Sequence, residues 1–120
     1  MAMKLILTAH NLKVTEAIEQ HVIEKIEKLD HYDSRAVDAR VLLEHDTSKP
    51  SDRRFKCSLR LAVPGPDLYA EDFEEDLYAA IDLVVKKVEQ QIRTRQSRYK
   101  ARKHKLGAKS KLERQTEEES

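Results

Sequence analysis

The side chains in this 120-residue chain that could do chemistry are five histidines, one cysteine and several runs of like charge. His10, His21, His31, His45 and His104 are spread with no metal-ligand spacing. Cys57 is the single cysteine, which excludes a disulfide framework and any cysteine-based zinc site and fits a reducing compartment. It falls on the apolar side of an alternating segment, so it reads as a packed thiol. No Ser or Cys lies in a nucleophile motif. Two glycines leave no glycine-rich phosphate loop. No catalytic centre assembles from these residues, so the expectation is a protein that is not an enzyme and needs no cofactor.

The charges carry more. Lys and Arg number 23 and Asp and Glu 22, a net charge of +1 that hides segregation along the chain. Glu71 to Asp82 holds six acids and no Lys or Arg. Lys86 to Lys105 holds nine Lys or Arg and one acid, Glu89. Glu113 to the end holds four acids against Arg114. Acids at a helix start and bases at its end complement the helix dipole, which accounts for Asp72, Glu74, Glu75 and Asp76 without a metal. The basic run exceeds what a dipole needs, and like charges four apart repel. It is either a solvated face or a surface for a polyanion.

The elements that must position these charges follow from periodicity. Lys4 to Ala9 reads as a short strand. Thr15 is placed to cap a helix whose apolar stripe is Ile18, Val22, Ile26 and Leu29. His21, Lys25 and Lys28 fall within about 60° of one another beside that stripe. Such lysines either snorkel along the apolar seam or extend a positive surface. Asp30 to Arg35 reads as a loop. Val37 to Glu44 and Phe55 to Val63 alternate with period two, joined by the turn residues TSKPSD. Pro64-Gly65-Pro66-Asp67 forces a turn, and Leu68 to Glu71 returns as a short fourth strand. The alternation is that of an antiparallel sheet covered on one side. Asp72 is placed to cap a long second helix with Phe73, Leu77, Ile81, Val84, Val88 and Ile92 as its buried stripe. The fold class is α+β, in the order β-α-β-β-β-α, with two helices on one face of a four-stranded sheet. The expected domain is 1–102, followed by a mobile, basic-then-acidic tail at 103–120.

Composition closes other classes. The chain is 39% hydrophobic and 38% charged, and no apolar run approaches the roughly 18 residues that span a bilayer. The N-terminus lacks a signal-peptide pattern. A cytoplasmic protein is expected. Tyr32, Tyr69, Tyr78 and Tyr99 are scattered, unlike an aromatic RNA-stacking sheet. Tyr99, between Arg98 and Lys100, can stack on a base or lie against its helix.

Asp76-Leu-Tyr-Ala-Ala-Ile-Asp82, then Lys87 and Glu89-Gln-Gln-Ile92, resembles the ribosome hibernation promoting factor family, which includes ribosome-associated inhibitor A. Val14-Thr15-Glu16-Ala17-Ile18, Lys25-x-x-Lys28-Leu29 and Ala70-Glu71 match in order, so the resemblance covers about Met3 to Lys100. It implies a β-α-β-β-β-α domain without enzymatic activity. It implies binding to the small ribosomal subunit and the whole ribosome, in the channel of messenger and transfer RNA, with reversible inhibition of translation in stress or stationary phase. Lys25, Lys28, Lys87 and Arg98 match basic family positions that contact ribosomal RNA. Lys86, Arg93, Arg95, Lys100 and Arg102 join them from the charge pattern. Glu19, Gln90 and Thr94 stand where family members often carry a base. The extra dimerisation domain of the long form has no counterpart here, and an exposed basic surface argues for a monomer when free. No membrane and no small-molecule substrate are expected. The rival readings are a general double-stranded RNA binder and a protein-interaction module.

Overall fold

The computed structural model describes residues 3–32 and 35–119, with side chains through Arg98. The elements are β1 (Lys4–His10), α1 (Glu16–Tyr32), β2 (Asp38–His45), a short 3-10 turn (Ser51–Arg53), β3 (Phe55–Ala62), β4 (Leu68–Glu74) and α2 (Leu77–Glu119). The four strands form one sheet in the order β1-β2-β3-β4. The expected order of elements and the two-helix layer are both present. α2 continues through the expected boundary at residue 102 to Glu119, and the side chains of Tyr99, Lys100 and Arg102 lie outside the described residues.

The sheet is mixed where alternation alone suggested an antiparallel one. β1 pairs parallel to β2, while β2–β3 and β3–β4 are antiparallel. The reason is the connection. A helix between two neighbouring strands carries the chain back to the starting end, so the second strand runs with the first.

One face of the sheet makes the core. Ala39, Val41, Leu43, Cys57, Leu59, Leu61, Leu68 and Ala70 are buried on it. Against them lie Val22, Ile26 and Leu29 of α1 and Leu77, Ile81, Val84, Val88 and Ile92 of α2, the stripes expected from helical spacing. Thr15 caps α1 as expected: its Oγ1 accepts from the Ile18 N–H at 3.2 Å.

Asp72 does not cap α2. β4 runs three residues beyond the expected Glu71, and Asp72 and Phe73 pair with Cys57 and Lys56 of β3. Asp76 takes the capping place, its Oδ1 accepting from the Tyr78 N–H at 3.2 Å. The acids that looked like a helix start are held in a strand by opposite charge. Lys56 lies 3.3 Å from Glu71, and Lys87 lies 3.2 Å from Asp72. Phe73 lies under Lys49 and Lys56, their ammonium groups 4.9 and 5.5 Å from the ring centroid.

Candidate nucleic-acid interface

Burying Val22, Ile26 and Leu29 fixes the rotation of α1, so His21 and Lys25 turn toward α2. His21 Nε2 donates to Asp82 Oδ1 at 2.7 Å, and Lys25 Nζ lies 3.7 Å from the same oxygen. The His21 ring meets Tyr78 edge-on, with centroids 5.0 Å apart. Further along the seam, Arg93 Nη2 donates to the Tyr32 hydroxyl at 3.0 Å and to Glu89 Oε1 at 2.8 Å. Its guanidinium also lies 5.0 Å from the Tyr32 ring centroid. The Tyr32 hydrogen bond, and then the charges beside it, raise the Arg93 pKa further. Gln96 Nε2 donates to the Tyr32 carbonyl at 2.6 Å, which satisfies one of the open carbonyls at the end of α1.

The expected interface residues fall on two flanks of α2. Lys25 and Arg93 sit in the seam between α1 and α2, and the exposed Lys28 and Lys86 follow Lys25 and Asp82 by three and four residues on the same helix faces. Lys87, Arg95 and Arg98 face the β4 side, where Lys87 Nζ donates to the Glu71 carbonyl at 3.3 Å. Lys25, Lys87 and Arg93 each have a carboxylate partner. Lys28, Lys86 and Arg98 are exposed and have no ion-pair partner among the described residues. Lys100 and Arg102 lie beyond the described side chains.

Periodicity missed the residues that bind the two helices together. Tyr32 falls in the stretch expected as a loop, yet it follows Leu29 by three and continues the α1 stripe. Asp82 reads only as the end of the acidic run; its partners on α1, His21 and Lys25, are distant in sequence and no local pattern announces them.

The opposite face of the sheet carries several matched charges. Lys56 bridges Glu44 at 3.7 Å and Glu71 at 3.3 Å. Arg60 lies 3.8 Å from Asp67, and Arg40 lies 3.9 Å from Asp38. The Tyr69 hydroxyl donates to Glu71 Oε2 at 2.8 Å. That bond, and then Lys56, hold the Glu71 carboxyl below its usual range, while the same bond pushes the Tyr69 phenol up. Desolvation pulls Lys56 down, but Glu71 and Glu44 outweigh it and its pKa is raised.

Nothing in this arrangement activates a nucleophile. Cys57 is 1% exposed, and burial pushes its thiol up to about 12. Among the described residues no three of His, Cys, Asp and Glu converge as a metal site, and no helix is long and apolar enough to cross a membrane. What the helical layer offers is a set of cations held at fixed spacing.

Residues 5–100 match the family model described as Sigma 54 modulation protein / S30EA ribosomal protein. The chain belongs to this family. A ribosome hibernation promotion factor of Deinococcus radiodurans is 38% identical over 93 residues, covering 78% of this chain and 49% of its own length. A ribosome hibernation promoting factor of Azotobacter vinelandii is 32% identical over 90 residues, covering 75% of this chain and 79% of the relative. This family member thus spans about half the length of the first curated relatives that it matches. The crystal structure of the Thermus thermophilus Protein Y N-terminal domain superposes with a TM-score of 0.64 at 31% identity, covering 77% of this chain and 96% of that one.

Proposed function

We propose that this protein is a ribosome hibernation factor. It binds the small ribosomal subunit in the channel of messenger and transfer RNA, alone or in the whole ribosome, and blocks translation while bound. The observation that carries this reading is the difference between the two faces. On the sheet face Arg40, Lys56 and Arg60 each lie 3.3–3.9 Å from a carboxylate. On the helical face Lys28, Lys86 and Arg98 remain unmatched among the described residues. The names of the relatives support the same reading.

The mechanism is occlusion by a folded domain. Lys25, Lys28, Lys86 and Arg93 meet phosphates along the helix seam, and Lys87, Arg95 and Arg98 meet them on the other flank, with Lys100 and Arg102 continuing the run. Each contact releases counterions, so the affinity is a sum of small, salt-sensitive contributions and the inhibition is reversible. No bond is made or broken. The protein acts in the cytoplasm and is a monomer when free.

The test is co-sedimentation of the full chain with purified ribosomes and separated subunits at low and raised salt. Saturable one-to-one binding to small subunits, weakened by salt and competed by transfer RNA, is the expected result. No binding at low salt by a folded protein would overturn the reading. Tighter binding to a free RNA duplex than to the subunit would favour a general double-stranded RNA binder.

A further inference from the structure

A cavity of about 550 Å³ opens between α2 and the turn that joins β3 to β4. That volume lies in the range of small-molecule pockets, roughly 300–1,000 Å³. Its wall holds two guanidinium groups, Arg95 and Arg98. Arg95 Nη1 is shut off from solvent, and no described residue accepts a hydrogen bond from it. The turn is what covers it. Gly65 sits there at φ +88°, and a Cβ on it would stand 3.9 Å from Arg95 Nη1. The turn thus pins one edge of the guanidinium, and an anion in the cavity is met by the remaining N–H groups of Arg95 and by Arg98.

The rest of the wall selects the kind of anion. Asp67 brings a carboxylate to the rim, 3.8 Å from Arg60. A bare phosphate gains nothing from that group, whereas a ligand that carries hydroxyl donors beside its phosphate does. The side chains of Gln90 and Thr94 have no hydrogen bond among the described residues, and they offer donors and acceptors to a base edge. Leu68 is a buried apolar floor.

We propose that this cavity binds one ribonucleotide unit, with its phosphate on Arg95 and Arg98, its ribose hydroxyls on Asp67, and its base against Leu68, Gln90 and Thr94. A free nucleotide and an unstacked nucleotide of an RNA strand share this chemistry. For the second source the proposal rests on the RNA-binding reading of α2.

The test is a titration of the isotope-labelled full chain, followed by its amide spectrum, with 5′-AMP, 5′-CMP, 5′-dAMP, inorganic phosphate and a short single-stranded oligoribonucleotide. Saturable shifts at Leu68, Thr94 and Arg95 are expected with the ribonucleotides. Loss of the ribose 2′-hydroxyl weakens binding about fivefold, because Asp67 is then under-used. Arg95→Gln weakens it about tenfold, with the remaining spectrum unchanged. Should that variant unfold, Arg98→Gln at the exposed rim removes the other phosphate contact and weakens binding by a similar factor. Arg40→Gln, on the opposite face, binds like the parent. Stronger binding of the mononucleotide than of the oligonucleotide identifies a free nucleotide as ligand, and the reverse identifies an RNA strand. Phosphate binding as well as any nucleotide, or no saturable shift with any probe, overturns the proposal. If the parent then still sediments with small subunits, only the cavity assignment has failed. If it does not, the ribosome reading has failed with it.

Discussion

Gln91 of α2 hydrogen-bonds both backbone groups of Tyr69 on β4: its Nε2 donates to the carbonyl at 2.7 Å and its Oε1 accepts from the N–H at 3.3 Å. β4 is an edge strand, and a helix side chain does there what a fifth strand would do. Lys87 extends the cover to the Glu71 carbonyl. Gln91→Ala returns both groups of Tyr69 to water. It is expected to cost about 1 kcal/mol, the usual net worth of such bonds at an exposed site. Urea denaturation measures that, and hydrogen exchange at Tyr69 should quicken. Unchanged exchange at Tyr69 would mean that the edge is protected by something else.

Reversing Lys28, Lys86 and Arg98 to Glu together should abolish ribosome binding and leave thermal unfolding unaltered. None of the three is committed to a carboxylate among the described residues, so the fold loses no partner. Lys87 is a poor choice for the same experiment. A carboxylate there would face Asp72, which now lies 3.2 Å from the ammonium. With six to eight phosphate contacts the parent's log–log salt slope is expected at about −4 to −7, and each neutralised cation removes about one. A triple variant that binds with the parent's slope would falsify the assigned surface.

The contrast between those lysines shows what the sequence held and what it did not. The helix stripes were legible because Val22, Ile26 and Leu29, and Leu77 through Ile92, repeat at the spacing that one buried face demands. The two inner strands were legible because only one of their faces is apolar. β4 was cut short because its last residues are acidic, and their stability in a strand comes from Lys56 and Lys87, which are remote in sequence. The candidate interface was visible as a density of charge. Its division into paired and unpaired cations was not, because Asp82 meets His21 and Lys25 only after both helices dock on the sheet. The cavity beside Arg95 likewise exists only once the Gly65 turn folds over α2.

The Tyr69–Glu71 pair should give a visible pH signature. Glu71 has its carboxyl lowered from the ordinary 4.5 by the Tyr69 bond and by Lys56. The stability this contributes is fully present above the ordinary value and is lost as pH falls through the depressed one. Tyr69 is raised from 10.0 by the same bond, so its share is present below that value and is lost as pH rises through the raised one. Glu71→Gln removes the charge, and the Tyr69 phenol should then titrate closer to 10.0. Tyrosinate absorbance of the two proteins tests this. The effect on global stability stays small, because 45% of the Glu71 side chain is exposed and solvent screens the pair. A Tyr69 titration unmoved by the variant would remove Glu71 as its cause.

Cys57 should report the opening of the whole domain. It lies on β3, an inner strand, opposite Leu43 on one side and Asp72 on the other, and it is 1% exposed. With its thiol pushed up to about 12, the folded protein presents almost no thiolate at neutral pH. Alkylation therefore has to wait for the helical layer to leave the sheet. If that layer leaves only on global unfolding, the modification rate equals the rate of a free thiol multiplied by the unfolded fraction. Leu29, fully buried between α1 and the sheet, offers the matching perturbation. Leu29→Ala is expected to cost about 2–5 kcal/mol and to speed alkylation by the factor that this free energy sets. Alkylation that is fast in the parent and indifferent to Leu29→Ala would show that β3 is reached by a local opening which leaves α1 in place, and the domain would not be a single cooperative unit.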